Sequence, residues 1–282
     1  MSLLQFNTSS WKMFSSTILQ SVLLVAILFV ASTSPATVPG TTKAGKPVDR
    51  TGKQYNRYYL HQCHKEDPQV NECLIESANT LLKNFQRGIP ELGVTNVEPI
   101  VIDEIHLALG SGPNGYRATF KEVTAYGVSN MTVIGARSDL SSNQFQFTFH
   151  VPKISIRAHY RSSGVLIMVP ATGGGEYWGE YDDCKAKVYL KASEYSRSDG
   201  RRYLRTEDLK MDFTVKNLKM GIEKVHNGNQ ILEAALNLFI NSNSQELLKE
   251  MKPDIKKKLL VQMKTFLDDH LFAQIPYDEW VV

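Results

Sequence analysis

The chain has 282 residues, of which 42% are apolar and 22% charged, and Lys plus Arg exceed Asp plus Glu by only 3. That composition fills a globular core and excludes intrinsic disorder, collagen and a disulfide-dense miniprotein. So small a net charge argues against a dedicated nucleic-acid binder, and three cysteines allow one disulfide with one thiol left over.

From Ile18 to Ala31 the chain reads ILQSVLLVAILFVA, with Lys12 ahead of it and no charge inside. The uninterrupted apolar run, Val22 to Ala31, is shorter than the ~20 residues that cross a bilayer. With small residues at Ala31 and Ser32, this is the pattern of a secretory signal peptide over residues 1–32. The alternative is an uncleaved signal anchor. Cleavage predicts an exported chain with no stable membrane insertion. Residues 33–57 carry Pro35, Pro39, Gly40, Gly45, Pro47 and Gly52 among Lys43, Lys46, Arg50, Lys53 and Arg57, and read as a flexible basic leader. A folded domain is expected over 58–282.

Helical spacing of Leu74, Ala78, Leu81 and Phe85 predicts a helix from Gln69 to Gln86, ended by Gly88 and Pro90. Beyond Val97 the period becomes two. Val101, Ile105, Leu107 and Leu109 share one parity, Phe145, Phe147 and Phe149 another run, and Ile154, Ile156, Ala158 and Tyr160 the next. Ala186, Val188 and Leu190 follow, then Leu209, Met211, Phe213 and Val215. Short Gly- and Ser-containing turns between these runs predict antiparallel hairpins, because parallel strands need long crossovers. Helical periodicity returns from Gln230 to Met251 and, after Pro253, through Ile255, Leu259, Met263, Phe266 and His270. The expected architecture is α+β: a strongly curved, meandering antiparallel sheet with a short N-terminal helix and a long C-terminal helix in its concavity.

Cys63 and Cys73 predict a disulfide in an oxidising compartment, with a metal site using His61 and His64 of HQCH as the rival. Cys184 follows Asp182 and Asp183, which raise a thiol pKa, so it reads as an unreactive thiol. No serine stands in a G-x-S-x-G elbow, and Gly173 to Gly175 precede no Gly-Lys-Ser/Thr. The adjacent acids Asp103–Glu104, Asp182–Asp183 and Asp268–Asp269 diverge on any regular element and make no dyad. Lys256, Lys257 and Lys258 read as the solvated face of the last helix. Asn130 in NMT is a glycosylation sequon. No catalytic residue, metal ligand or cofactor is predicted.

Read in order, several segments resemble the takeout and haemolymph juvenile-hormone-binding protein family of insects. They are the Cys63/Cys73 pair, GIPELGV (88–94), EPIVIDEI, TAYGVSNMTV (124–133), FTFHVPKISIRAHYRSSGVLIMVP (147–170), LKMDFTVKNLKMGIEKVHNGN (209–229) and IPYDEW (275–280). Cys184, lacking a partner, favours the takeout-like group, some of whose members are circadian-related. The resemblance implies a secreted, non-enzymatic carrier of small hydrophobic molecules, with a ligand tunnel between the rolled sheet and its C-terminal helix. Residues with the soft apolar character such a tunnel needs are Phe145, Phe147, Phe149, Met168, Met211, Phe213, Leu236, Phe239, Met263 and Phe266. Leu232 joins Leu236 and Phe239 on the helix face expected to meet ligand, and Tyr160, Tyr177 and Trp178 are candidates for an entrance. The same residues equally make a dry core. A secreted interaction protein with a filled core, acting through its surface or glycan, is therefore the alternative, and a hydrolase with an unrecognised site a third.

Overall fold

The computed structural model describes residues 60, 62–94, 97–109, 115–166, 169–224 and 230–282. The expected signal peptide and leader lie outside them, as does Met168. Helix α1 (Val70–Phe85) buries Leu74, Leu81, Leu82 and Phe85, close to the expected stripe. It ends before Gly88, whose φ of 80° suits glycine.

Among the described residues eight strands follow: β1 (Ile100–Leu109), β2 (Tyr116–Tyr126), β3 (Thr132–Asp139), β4 (Gln144–Ser163), β5 (Val165–Leu166), β6 (Val169–Pro170), β7 (Gly173–Ser196) and β8 (Arg202–Glu223). All pairs are antiparallel, in the order β1-β2-β4-β7-β8, with β3 sharing one edge of β4 with β2 and β5–β6 a separate small hairpin. Strand β7 has 24 residues and β8 has 22. At ~3.4 Å per residue such a strand would be about 80 Å long if straight, well beyond the roughly 45 Å width of a globule of this size. The sheet therefore has to coil.

It does so by changing phase. On β4, Phe145, Phe147, Phe149 and Val151 face inward, and beyond Pro152 the inward residues are Ile154, Ile156, Ala158 and Tyr160. On β7 the inward set passes from Val188, Ala186 and Cys184 to Tyr181 and Tyr177. On β8 it passes from Met211, Phe213 and Val215 to Leu218, Met220 and Ile222. These switches are at one level, because Val151, Cys184 and Val215 are register partners, as are Lys153, Asp182 and Asn217. The register runs unbroken through this level, and Asp183, opposite Pro152, takes a left-handed φ of 52° there. A second irregularity on β2, at Glu122 with φ 50°, shifts its register with β4. Opposite it β1 changes phase too. Ile100 and Ile102 are buried and Val101 is 43% exposed, so Val101 does not share the inward parity of Leu107 and Leu109 as expected.

Between β2 and β3 the chain crosses β4 at the crease. Gly127 has φ 91°, and a Cβ there would lie 2.1 Å from the carbonyl oxygen of Lys153.

The C-terminal helical region divides into α2 (Gln230–Ser242) and α3 (Ser244–Phe266), which runs on into a π-helical turn, Leu267–Leu271. The break falls at Asn243, whose φ is −118° and whose Nδ2 donates to the Phe239 carbonyl at 2.8 Å, and not at Pro253. Pro253 sits inside α3 on an exposed face, where water can satisfy the carbonyl its ring leaves without a donor. The single long axial helix of the sequence reading is thus two helices with different seats. Helix α2 lies on the β8 edge, where Asn237 Oδ1 accepts from Ile222 N (2.7 Å) and Nδ2 donates to its carbonyl (2.8 Å). Asn241 repeats this with Met220 N and O at 3.2 and 2.8 Å. Helix α3 spans both sheet edges: Lys252 and Lys256 pair with Asp212 of β8, and Asp254 Oδ2 accepts from Ala108 N of β1 at 3.2 Å. Helix α1 holds β3 in the same way as α2 holds β8, through Asn79 and Val133.

Cys63 and Cys73 are disulfide-bonded, which settles the choice against a metal ligand role for them. The same segment holds the C terminus: Cys63 N donates to Trp280 O, Val282 N to Cys63 O and Lys65 N to Val282 O. Thiol labelling of the unfolded, unreduced protein should modify Cys184 alone, and reduction should lower stability by ~2–3 kcal/mol for so short a loop. Gly127→Ala should cost about 2–4 kcal/mol in a denaturant titration, combining left-handed backbone strain with displacement of the β4 carbonyl.

Candidate functional site

Inside the rolled sheet are two apolar cavities stacked along α3. The first, of about 130 Å³, lies on both sides of the crease. Its walls are Ile102, Ile105 and Leu107 of β1, Phe120 and Val123 of β2, Val151, Ile154, Ile156 and Ala158 of β4, Tyr177, Tyr181, Cys184 and Ala186 of β7, and Phe213 and Val215 of β8. Helix α3 closes it with Leu248, Met251, Ile255, Lys258 and Leu259. The phase changes put residues of opposite parity, such as Tyr181 and Cys184, on one wall.

The second cavity, of about 150 Å³, lies under α1 and the C-terminal segment. Phe145, Phe147, Phe149, Val188, Leu190, Met263 and Phe266 line it, with Leu74, Leu81, Tyr277 and Val281. Leu259 belongs to the first cavity and Met263 to the second; Ala186 belongs to the first and Val188 to the second. One helical turn and one strand alternation are each about 6 Å. A single layer of side chains, including Met211 and Phe149, therefore separates the two spaces.

The polar groups of the first cavity are few. The Tyr177 and Tyr181 hydroxyls share a hydrogen bond of 2.6 Å, and Tyr177 also reaches Met220 Sδ at 3.6 Å. Gly179 between them is required by space: a Cβ there would lie 2.7 Å from the Tyr181 ring and 2.8 Å from the Tyr177 hydroxyl. Burial raises both phenols, Tyr181 to about 12. Burial, with Asp182 and Asp183 adding to it, also pushes the Cys184 thiol up to about 12. All three groups stay neutral at physiological pH, which suits an apolar occupant and removes the thiolate a nucleophile needs.

The residues expected from sequence divide as follows. Phe145, Phe147, Phe149, Met263 and Phe266 line the second cavity, and Phe213 lines the first. Met211 is in the dividing layer. Tyr160 is buried against Ile222 and Leu236, and Phe239 packs beside Leu218, Met220 and Leu247, away from both spaces. Leu232 is 41% exposed. Trp178 faces Gly221 from the strand face opposite Tyr177 and Tyr181. Helix α2 contributes nothing to either lining. Lys258, expected on a solvated face, is half-buried and its side chain forms part of the wall of the first cavity. Tyr181, Ile255 and Met251 line the first cavity without being among the residues expected there; the YWGEY spacing, with tyrosines four apart around a glycine, is the signal that marks the first of these. Asn130 is exposed on the turn after Gly127, within 3.5 Å of Gln86 Nε2.

The sequence profile described as haemolymph juvenile hormone binding protein matches residues 41–282. The circadian clock-controlled protein daywake of Drosophila melanogaster is 25% identical over 228 residues, covering 78% of this chain and 86% of that protein. Daywake of Drosophila yakuba is 25% identical over 219 residues, covering 75% and 84%. The crystal structure of Epiphyas postvittana Takeout 1 superposes with a TM-score of 0.67 at 22% identity, over 79% of this chain and 99% of that one, and shows the same fold.

The raised phenols have a consequence for stability. An unfolded tyrosine ionises near pH 10, whereas Tyr160 and Tyr181 hold their protons to about 12. Their contribution is complete below pH 10 and is lost as pH rises through 12. Unfolding free energy, followed by denaturant midpoint, should fall over that window, and Tyr181→Phe should make the fall shallower.

Proposed function

The chain belongs to the haemolymph juvenile hormone binding protein family, and from that premise we propose that it is a secreted carrier holding a small hydrophobic ligand inside the rolled sheet. Suitable cargoes are a fatty acid, a terpenoid or a hormone-like lipid. The observation that carries this reading is the pair of hydrocarbon-lined cavities one side-chain layer apart. Each Å² of ligand hydrocarbon buried there contributes ~25 cal/mol. Rotation of Met263 and Phe149 joins the spaces into one tunnel; methionine, unbranched and polarizable, is suited to such a movable partition. In this reading Phe145, Phe147, Phe149, Phe213, Met263 and Phe266 line the tunnel. No cofactor is needed and no bond in the cargo changes. Export through the 1–32 signal accords with the disulfide, and Asn130 is open to a glycan.

A second reading, an interaction protein acting through its surface, has one observation in its favour. Ile231 and Leu238 of α2 are 85% and 72% exposed, two turns apart on one face.

Lipid extraction from purified protein followed by mass spectrometry, with titration of an apolar fluorescent probe, separates the two. Saturable probe binding is expected. Ala186→Trp, which fills the first cavity at the dividing layer, should weaken it at least tenfold while costing no more than the ~1–3 kcal/mol typical of overpacking. Absence of saturable apolar binding in the parent would refute the carrier reading.

A further inference from the structure

The wall of the first cavity includes the side chain of one unpaired lysine. Helix α3 and its flanks are rich in lysine, and most of these are paired: Lys249 with Glu246, Lys252 and Lys256 with Asp212, and Lys264 with Asp268. Lys257 is exposed. Lys258 differs on both counts. It is half-buried, its side chain belongs to the wall of the first cavity, and among the described residues it has no ion-pair or hydrogen-bond partner.

The acids within reach by position are otherwise engaged. Asp254, one helical turn back, accepts from the Ala108 amide of β1. Glu104 on β1 is held by His106 at 2.7 Å and Lys121 at 3.5 Å. Lys185, the other lysine against this cavity, lies between the inward residues Cys184 and Ala186, so alternation turns it outward, and it pairs with Asp183 at 3.8 Å. An ammonium at the edge of an apolar wall, with no anion beside it, gains a charge-assisted hydrogen bond when a ligand brings one. The remaining groups of the wall are hydrocarbon or neutral, so they offer the rest of such a ligand only an apolar bed.

We propose that Lys258 makes the cavity selective for a long-chain carboxylate, whose hydrocarbon lies in the cavity and whose carboxylate meets the lysine ammonium where α3 adjoins the β1 edge. The inference rests on the carrier reading and narrows its ligand class. An aliphatic stem along the wall with its charged head toward water is the usual posture of a lysine at an apolar boundary, and it places the head group at the rim while the chain goes inward.

The test is displacement of an apolar fluorescent probe by laurate and by dodecanol, each kept below its aggregation limit, at neutral pH. The parent should bind laurate about tenfold more tightly than dodecanol, the scale of one hydrogen bond between charged groups. Lys258→Gln should abolish that preference and leave dodecanol affinity unchanged. Lys258→Arg should retain it, and Lys257→Gln should have no effect. A preference that survives in Lys258→Gln, or equal losses for both ligands, overturns the proposal. Equal affinity of the parent for laurate and dodecanol overturns it too but leaves the carrier reading standing, whereas failure of the parent to bind either removes both.

Discussion

Side chains on a strand alternate between its faces, so where that alternation is interrupted a sheet keeps one face apolar only if its apolar pattern changes phase at the same point. Here three adjacent strands change phase at one level, around Pro152, Asp183 and Lys216–Asn217. The crease brings two inward-facing stretches of the same strands against one another. The first cavity is the space that remains between them, and strands on both sides contribute to its wall. Removing the crease would turn half of each strand's apolar set to solvent, so core, curvature and cavity depend on the same few residues.

A sheet rolled in this way does not close into a barrel. Its outer strands would present unpaired amides and carbonyls, an open template for association. Helices cover them. Asparagine amides from α1 and α2 meet the main chain of β3 and β8 with both a donor and an acceptor, reproducing the pattern of a neighbouring strand. Helix α3 does so through a carboxylate on β1 and by ion pairs on β8. Because these contacts fix the helices at the edges, the middle of α3 is left to face the interior with Met251, Ile255, Leu259 and Met263, and the space beneath it need not be filled.

Much of this architecture is legible in the amino-acid pattern. The odd-numbered run Phe145, Phe147, Phe149 followed by the even-numbered run Ile154, Ile156, Ala158 states the phase change directly, and Pro152, which has no amide to give to a ladder, stands between them. The aromatic triplet on β4 and the Met263–Phe266 pair on α3 are recognisable as wall material. What periodicity does not convey is which apolar face of a helix meets which space. Leu236 and Phe239 have the right character but sit on a helix anchored outside the sheet, a placement set by Asn237 and Asn241, whose polar identity gives no hint of a partner. Lys258 is hidden by the opposite bias, since a lysine among lysines reads as solvated. The helical region breaks at Asn243, where the side-chain amide adds a second hydrogen bond to the Phe239 carbonyl, a local feature that the more conspicuous Pro253 obscures.

The asparagine seats have an evolutionary corollary. Asn237 and Asn241 address the amide and carbonyl of Ile222 and Met220, atoms that almost every amino acid supplies. The strand half of this joint is therefore free to drift in sequence, provided proline is avoided, while the helix half must keep a side chain bearing both a donor and an acceptor at two positions four apart. Relatives of low overall identity are then compatible with an identical joint, and a paired amide motif on the helix would outlast the side chains of the strand it grips.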